Sequence, residues 1–187
     1  MNNFTIREGS IEGLKIIEGK KHMDARGYFT EIYRKDSFAE LGFCADLCQS
    51  NLSFSEKGVV RGMHYQKKHA QGKLVRVLQG AIYDVAVDLR KESESFGSWE
   101  GILLTEDNSY QFYVPEGFAH GFLSLSDETM VLYHCTDVYC PGEESGIHWQ
   151  DPGLAIDWPL AGIDRVLLSD KDAKLPSLAS MLETEGF

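Results

Sequence analysis

The stretch 73–90, KLVRVLQGAIYDVAVDLR, carries the clearest structural signal in the chain. Residues 74–78 and 81–89 are rich in Val, Leu, Ile and Tyr, and Gln79-Gly80 divides them. This pattern predicts two strands joined as a hairpin. Along the second strand, Tyr83, Val85, Val87 and Leu89 share one face, and Ile82, Asp84, Ala86 and Asp88 share the other. Two acids among apolar residues have two readings. One is a solvated face, which periodicity alone favours; the other is a polar pocket inside a barrel.

Short strand candidates continue outward at regular spacing: 99–105 (WEGILLT), 110–114 (YQFYV), 120–125 (HGFLSL) and 129–135 (TMVLYHC). Glu106-Asp107-Asn108, Pro115-Glu116-Gly117 and Ser126-Asp127 supply turn chemistry between them. Asp36 is placed to cap a short helix over 37–41, ended by Gly42, and 172–182 offers a second helix. No Gly-rich linker, repeat or low-complexity tract interrupts the chain, so 1–187 reads as one domain. Many antiparallel strands with few helices predict an all-β fold, a jelly-roll β-barrel or sandwich with a few short helices.

Of the 187 residues, 43% are hydrophobic and 25% charged, which excludes a disordered chain, a collagen and a disulfide-dense miniprotein. The 18 Lys and Arg against 29 Asp and Glu give a net charge of -11. An acidic surface repels phosphate backbones, so no nucleic-acid partner is expected. A local basic pocket for a small phosphorylated ligand remains compatible with it. No apolar run approaches the ~18 residues that a membrane span needs. Residues 1–20 hold neither an apolar signal core nor a small-residue cleavage site, so a cytoplasmic protein is expected. Cys44, Cys48, Cys135 and Cys140 lack C-x-x-C spacing and read as reduced thiols.

The run Pro115-Glu-Gly117-Phe-Ala-His120-Gly-Phe122 places a turn directly before a histidine at a strand start. It resembles the second motif of cupins, Pro-x-Gly-x-x-His. The companion metal motif would need His-x-His and a following Glu. Around His64 the sequence is RGMHYQKKHA, and His69 has the wrong strand parity to join His64 as a ligand. No metal site is expected.

An ordered set of short motifs spans about residues 10–175. It comprises Asp24-Ala-Arg26-Gly-Tyr-Phe-Thr-Glu31, Gln49-Ser-Asn51-Leu-Ser53, Gly58-Val-Val-Arg61-Gly-Met-His64-Tyr-Gln66, Lys73-Leu-Val and Asp84-Val-Ala-Val-Asp88. It continues through the His120 motif, Tyr133, Tyr139, Glu144 and Leu168-Ser-Asp-Lys171-Asp172. Each motif is weak alone, but the ordered set closely resembles the dTDP-4-dehydrorhamnose 3,5-epimerases. The resemblance implies a metal-free, cofactor-independent, cupin-like jelly roll that forms a homodimer, its 10–35 region reaching the neighbouring subunit. The implied reaction converts dTDP-4-dehydro-6-deoxyglucose to dTDP-4-dehydro-L-rhamnose.

That chemistry asks for particular residue types. Carbons 3 and 5 flank a C4 ketone, and removing either proton leaves an enolate charged on the C4 oxygen. A base, an acid on the opposite ring face and a cationic donor at the oxygen are needed. By the resemblance, His64 is the base and Asp172 fixes its tautomer. Lys73 stabilises the enolate and Tyr133 returns the proton. Arg26 and Arg61 would meet phosphate or sugar oxygens. Glu31, Gln49 and Asn51 would contact thymidine, and His120, Glu144 and Lys171 the substrate elsewhere. Asp84 either orients Lys73 or closes an interior hydrogen bond. Tyr28, Ser50 and Leu52 depart from the family pattern without removing a reacting group.

Rival readings are a relative that inverts one carbon only and a non-catalytic sugar-binding cupin. The latter has no need for His64, Asp172, Lys73 and Tyr133 together. Without a His-x-His pair, epimerase activity is expected to survive exhaustive EDTA treatment. Stoichiometric zinc or iron, with activity lost on chelation and restored by metal, would contradict this.

Overall fold

The computed structural model describes residues 2–185. The strands are β1 (Phe4–Glu8), β2 (Lys15–Gly19), β3 (Lys21–Asp24), β4 (Gly27–Thr30), β5 (Gln49–Ser55), β6 (Val60–Gln66) and β7 (Lys73–Gln79). They continue as β8 (Ala81–Asp88), β9 (Trp99–Thr105), β10 (Tyr110–Val114), β11 (Phe118–Ser124), β12 (Thr129–Cys135) and β13 (Glu144–Gly146). A six-stranded sheet runs β1-β2-β10-β7-β12-β5, and a five-stranded sheet runs β13-β6-β11-β8-β9. The pairings within both are antiparallel. The two sheets do not close on one another, so the fold is a sandwich rather than a sealed barrel. Strands β3 and β4 pair only with each other, as a separate hairpin. No helix of the described residues is long and apolar enough to cross a membrane.

The expected hairpin at 73–90 is not one. Strand β7 pairs with β10 and β12, while β8 pairs with β11 and β9 in the other sheet. Gln79-Gly80 is therefore an arch between sheets. Gly80 has φ +81, and a Cβ there would lie 2.4 Å from Ser126 Oγ. The physical reason is burial on both faces of each strand, which alternation cannot assign to a partner. On β7, Val75 and Val77 face the core between the sheets, and Leu74 packs outward against Phe38 and Phe43. On β8, Ile82 and Ala86 face the same inter-sheet core. Val85, Val87 and Leu89 pack outward against Trp149, Trp158 and Met181.

The solvated-face reading of Asp84 and Asp88 is likewise corrected: both are 0% exposed. Asp88 is satisfied by Arg90, Ser93 and Ser95. Asp84 belongs to the interior described below.

Helix α1 (Lys35–Glu40) starts before the expected position, with Arg34 as N-cap. Asp36 is not the cap; it lies in the first turn and accepts from the Ser37 amide at 2.9 Å. The C-terminal stretch splits into a 3-10 turn, Asp172–Lys174, and helix α2 (Leu178–Glu185). Pro176 stands between them, where a continuous helix would lose a backbone bond.

Strands β6 and β11 approach closely because both carry glycine at the contact. Gly62 has φ +122, and a Cβ on it would lie 2.5 Å from Gly121 Cα. A Cβ on Gly121 would lie 2.7 Å from Arg61 O and Met63 Sδ. The register places His120 directly opposite His64, with an irregularity just beyond. Gly121→Ala is expected to cost about 1–3 kcal/mol, through overpacking at this crossing. Gly142→Ala, where nothing lies within 4 Å, should stay within about 0.5 kcal/mol of the parent. Denaturant midpoints of the two variants test this difference.

Candidate active site

Polar side chains from both sheets converge at one end of the sandwich. Strand β6 supplies Arg61 and His64, β7 Lys73, β11 His120, β12 Tyr133 and β13 Glu144; the 3-10 segment brings Lys171 and Asp172. All eight line one cavity of about 310 Å³. An adjoining cavity of about 280 Å³ shares His64, Lys73, Tyr133, Tyr139 and Glu144, and adds Gln49 and Asn51 from β5. Ten of the twelve residues expected at the site are thus brought together.

Arg26 and Glu31 are not among the residues lining these cavities. Arg26 sits at the tip of the β3–β4 hairpin, with its side chain 90% exposed and 2.5 Å from Asp24. Glu31 accepts from Asn3 at 3.0 Å and from Arg34 at 3.3 Å. The hairpin pairs with neither large sheet, and Glu31 follows directly after it. His69 lies beyond the end of β6, in the link to β7, where strand parity does not apply, and its exposed ring stands beside Asp137. Among the described residues no group of three or more His, Cys, Asp or Glu side chains is arranged to hold a metal ion.

His64 Nε2 lies 2.6 Å from Asp172 Oδ1. Burial pushes the Asp172 carboxyl up, but His64, Ser169 and the Gly62 amide outweigh it and hold the group below its ordinary range. Asp172 is therefore the acceptor and Nε2 the donor. That leaves Nδ1 as the ring's proton acceptor, on the side of Glu144 Oε1 at 3.9 Å. Burial likewise pushes Glu144 up, and Lys171, Tyr139 and His64 together hold it down. Tyr139 donates to Glu144 at 2.5 Å, and Lys171 contacts the same oxygen.

A second histidine–carboxylate pair lies beside the first. His120 Nε2 is 2.8 Å from Asp84 Oδ1. Asp84 is raised by burial, against the pull of His120 and Lys73. Its Oδ2 is buried with no hydrogen-bond partner. Of the two readings for Asp84, the interior hydrogen bond is the one observed, and Lys73 is an electrostatic neighbour. Burial lowers the Lys73 ammonium; Cys135, Glu144, Asp84 and Glu116 oppose this. The Tyr133 phenol is raised by burial first and by Cys135 and Glu144, with Arg61 opposing.

Sequence reasoning assigned no role to Gln66, Gln71 or Cys135. Gln66 and Gln71 are buried, and both border the smaller cavity. Cys135 faces Lys73 across the β12–β7 pair and accepts from Asn51 Nδ2 at 3.6 Å. Gln66 closes β6 and Gln71 lies in the link to β7, and neither position carries a local signal for a role.

The lowered Asp172 and Glu144 give a definite sign to pH dependence. Both stabilise the fold above their ordinary values near 4, and the contribution is lost as pH falls through the lower folded values. Asp84 has the opposite sign and favours the fold only when protonated. The urea midpoint is expected to fall as pH drops below about 4, and to fall less steeply in Asp172→Asn. An equal slope in the two proteins would show that the His64 pair does not contribute.

The profile of the dTDP-4-dehydrorhamnose 3,5-epimerase family matches residues 8–180. The dTDP-4-dehydrorhamnose 3,5-epimerase of Methanothermobacter thermautotrophicus is 49% identical over 172 residues, covering 92% of this chain and 93% of that protein. The crystal structure of a dTDP-6-deoxy-D-glucose-3,5-epimerase from Legionella pneumophila, in complex with dTDP-4-keto-L-rhamnose, superposes with TM-score 0.90. It is 48% identical and covers 94% of this chain and 93% of its own. A 3′-monoepimerase from Streptomyces bikiniensis in complex with dTDP-quinovose superposes with TM-score 0.88. It is 35% identical, with 95% and 90% of the two chains covered. Cavity, cupin-like sandwich and sequence agree: the chain belongs to the dTDP-4-dehydrorhamnose 3,5-epimerase family.

Proposed function

We propose that this enzyme epimerises dTDP-4-dehydro-6-deoxy-D-glucose at C3 and C5, giving dTDP-4-dehydro-L-rhamnose for dTDP-L-rhamnose synthesis. One observation carries the reading: the His64–Asp172 pair opens into the same cavity as Lys73 and Tyr133. His64 Nδ1 takes the proton α to the C4 ketone. Negative charge then develops on the C4 oxygen, where Lys73 is the cationic donor. Tyr133 delivers a proton to the other ring face. A buried phenol with a raised pKa stays protonated at neutral pH, as an acid must. Arg61 and Lys171 supply positive charge for the diphosphate, and Gln49 and Asn51 supply amides for the base.

A homodimer completes this reading. Met23 and Phe29 on the β3–β4 hairpin are 71% and 70% exposed, and Leu52 and Phe54 on the edge strand β5 are also exposed. Such apolar side chains favour cover by a second subunit. The hairpin would then present Arg26 and Glu31 to a neighbouring pocket.

A second reading is inversion of one carbon only. The 3′-monoepimerase shares the fold at TM-score 0.88, so the fold does not choose between them. The higher identity, 49% against 35%, favours double inversion.

Proton NMR in D₂O, with exchange at C3 and C5 read separately, tests these assignments. The parent should exchange and invert both carbons; exchange at one only would select the second reading. His64→Ala is expected to lose exchange at both by roughly 10²–10⁴-fold while still binding dTDP. Near-normal exchange would place the base elsewhere. Tyr133→Phe should keep exchange but lose net inversion, most strongly at C5. Full inversion in that variant would remove Tyr133 from the acid role.

A further inference from the structure

The link from β12 to β13 crosses from the six-stranded to the five-stranded sheet beside the pocket. It carries Tyr139 and leads into Glu144, both of which line the two cavities. Three glutamine side chains bind its backbone. Gln66 Oε1 accepts from the Cys140 amide at 2.7 Å. Gln66 Nε2 donates to Val138 O at 3.3 Å and to His69 O at 2.6 Å. Gln71 Nε2 donates to Asp137 O at 2.8 Å, and Gln49 Oε1 accepts from the Tyr139 amide at 2.8 Å. Gln66 and Gln71 are 6% and 8% exposed. The link beneath, between β6 and β7, is laced to the same segment through Gly72 and Thr136.

We propose that Gln66 and Gln71 are positioning residues that hold the 137–140 strap across the two sheets, fixing Tyr139 as a wall of the substrate pocket. This rests on the epimerase reading of that pocket. The engaged groups of Gln66 are its two amide protons and its carbonyl, so it acts on the strap rather than on substrate. An amide suits the task because its two N–H donors and its carbonyl serve two backbone carbonyls and one backbone amide at once. Glu144 has a separate anchor, the β13–β6 backbone pairing that sets it opposite Gln66. His64 and Lys73 are held independently of the strap by the strand pairings of β6 with β11 and β13 and of β7 with β10 and β12, and Asp172 by the 3-10 segment. The strap therefore governs how tightly substrate is held and leaves proton abstraction intact.

The test compares Gln66→Leu and Gln71→Leu with the parent. Each should raise KM and the dTDP dissociation constant about tenfold, the effect of losing buried hydrogen bonds. Each should leave kcat for solvent exchange within about twofold of the parent. Gln66→Glu adds a signature: its KM should fall as pH is lowered, because protonating the introduced carboxyl restores a donor toward the strap carbonyls. Should Gln66→Leu not fold, Gln71→Leu decides. Unchanged KM and dTDP binding, or a fall in kcat with KM unaltered, would overturn the proposal. Failure of the parent to exchange the ketosugar would refute the epimerase reading instead. The dTDP titrations would still report on the strap.

Discussion

The hydrogen bond between His64 and Asp172 ties the C-terminal segment to β6 and, in the proposed mechanism, sets the state of the base. The two residues are 108 positions apart. Joining them seats the C-terminal segment over β6, where the Val59–Leu167 bridge and Ile147 amide contacts continue the attachment. The same segment buries Trp149, Trp158 and Met181 against the outer face of β8 and β11. Apolar burial along this face supplies most of the driving force. The polar pair at its end selects one register and one imidazole tautomer.

The interior between the sheets is divided along its length. One end is hydrocarbon, built from Val75, Val77, Ile82, Phe112 and Val131. The other end holds Lys73, Asp84, His120 and His64, drawn from four strands. Asp84 is hydrogen-bonded to His120 and His64 to Asp172, and the fields of Glu144, Asp84 and Glu116 partly offset the burial of Lys73. Burial lowers Lys73 and raises Asp84, as expected where water is scarce. For the proposed enolate this matters, because a cation with few waters interacts strongly with charge that forms beside it.

Much of the fold was legible in the sequence, and the failures are physical. Strands 99–105, 110–114 and 129–135 match β9, β10 and β12 in full, since turn residues bound each run. The 73–90 hairpin misled because a two-residue link between buried strands looks the same whether it turns back or crosses to another sheet. The acids of β8 misled for a related reason: alternation shows that Asp84 shares a face with Ile82, not whether that face is dry. Its partner His120 lies 36 residues away, beyond any local pattern. Most of the site was legible only through the ordered motif set, since no spacing rule links His64 to Asp172. The glutamine strap left almost no signal, because single amides closing a strand are common. Arg26, on the separate β3–β4 hairpin, and Glu31, just after it, are not among the residues that line the two cavities, and neither is set there by any local pattern.

In the proposed mechanism Asp172 holds the His64 proton on Nε2 and leaves Nδ1 free to act as the base. Nitrogen-15 NMR of the imidazole of His64, in the ligand-free protein at neutral pH, reads this directly. A protonated Nε2 and an unprotonated Nδ1 are expected. A resonance pattern with the proton on Nδ1 would contradict it.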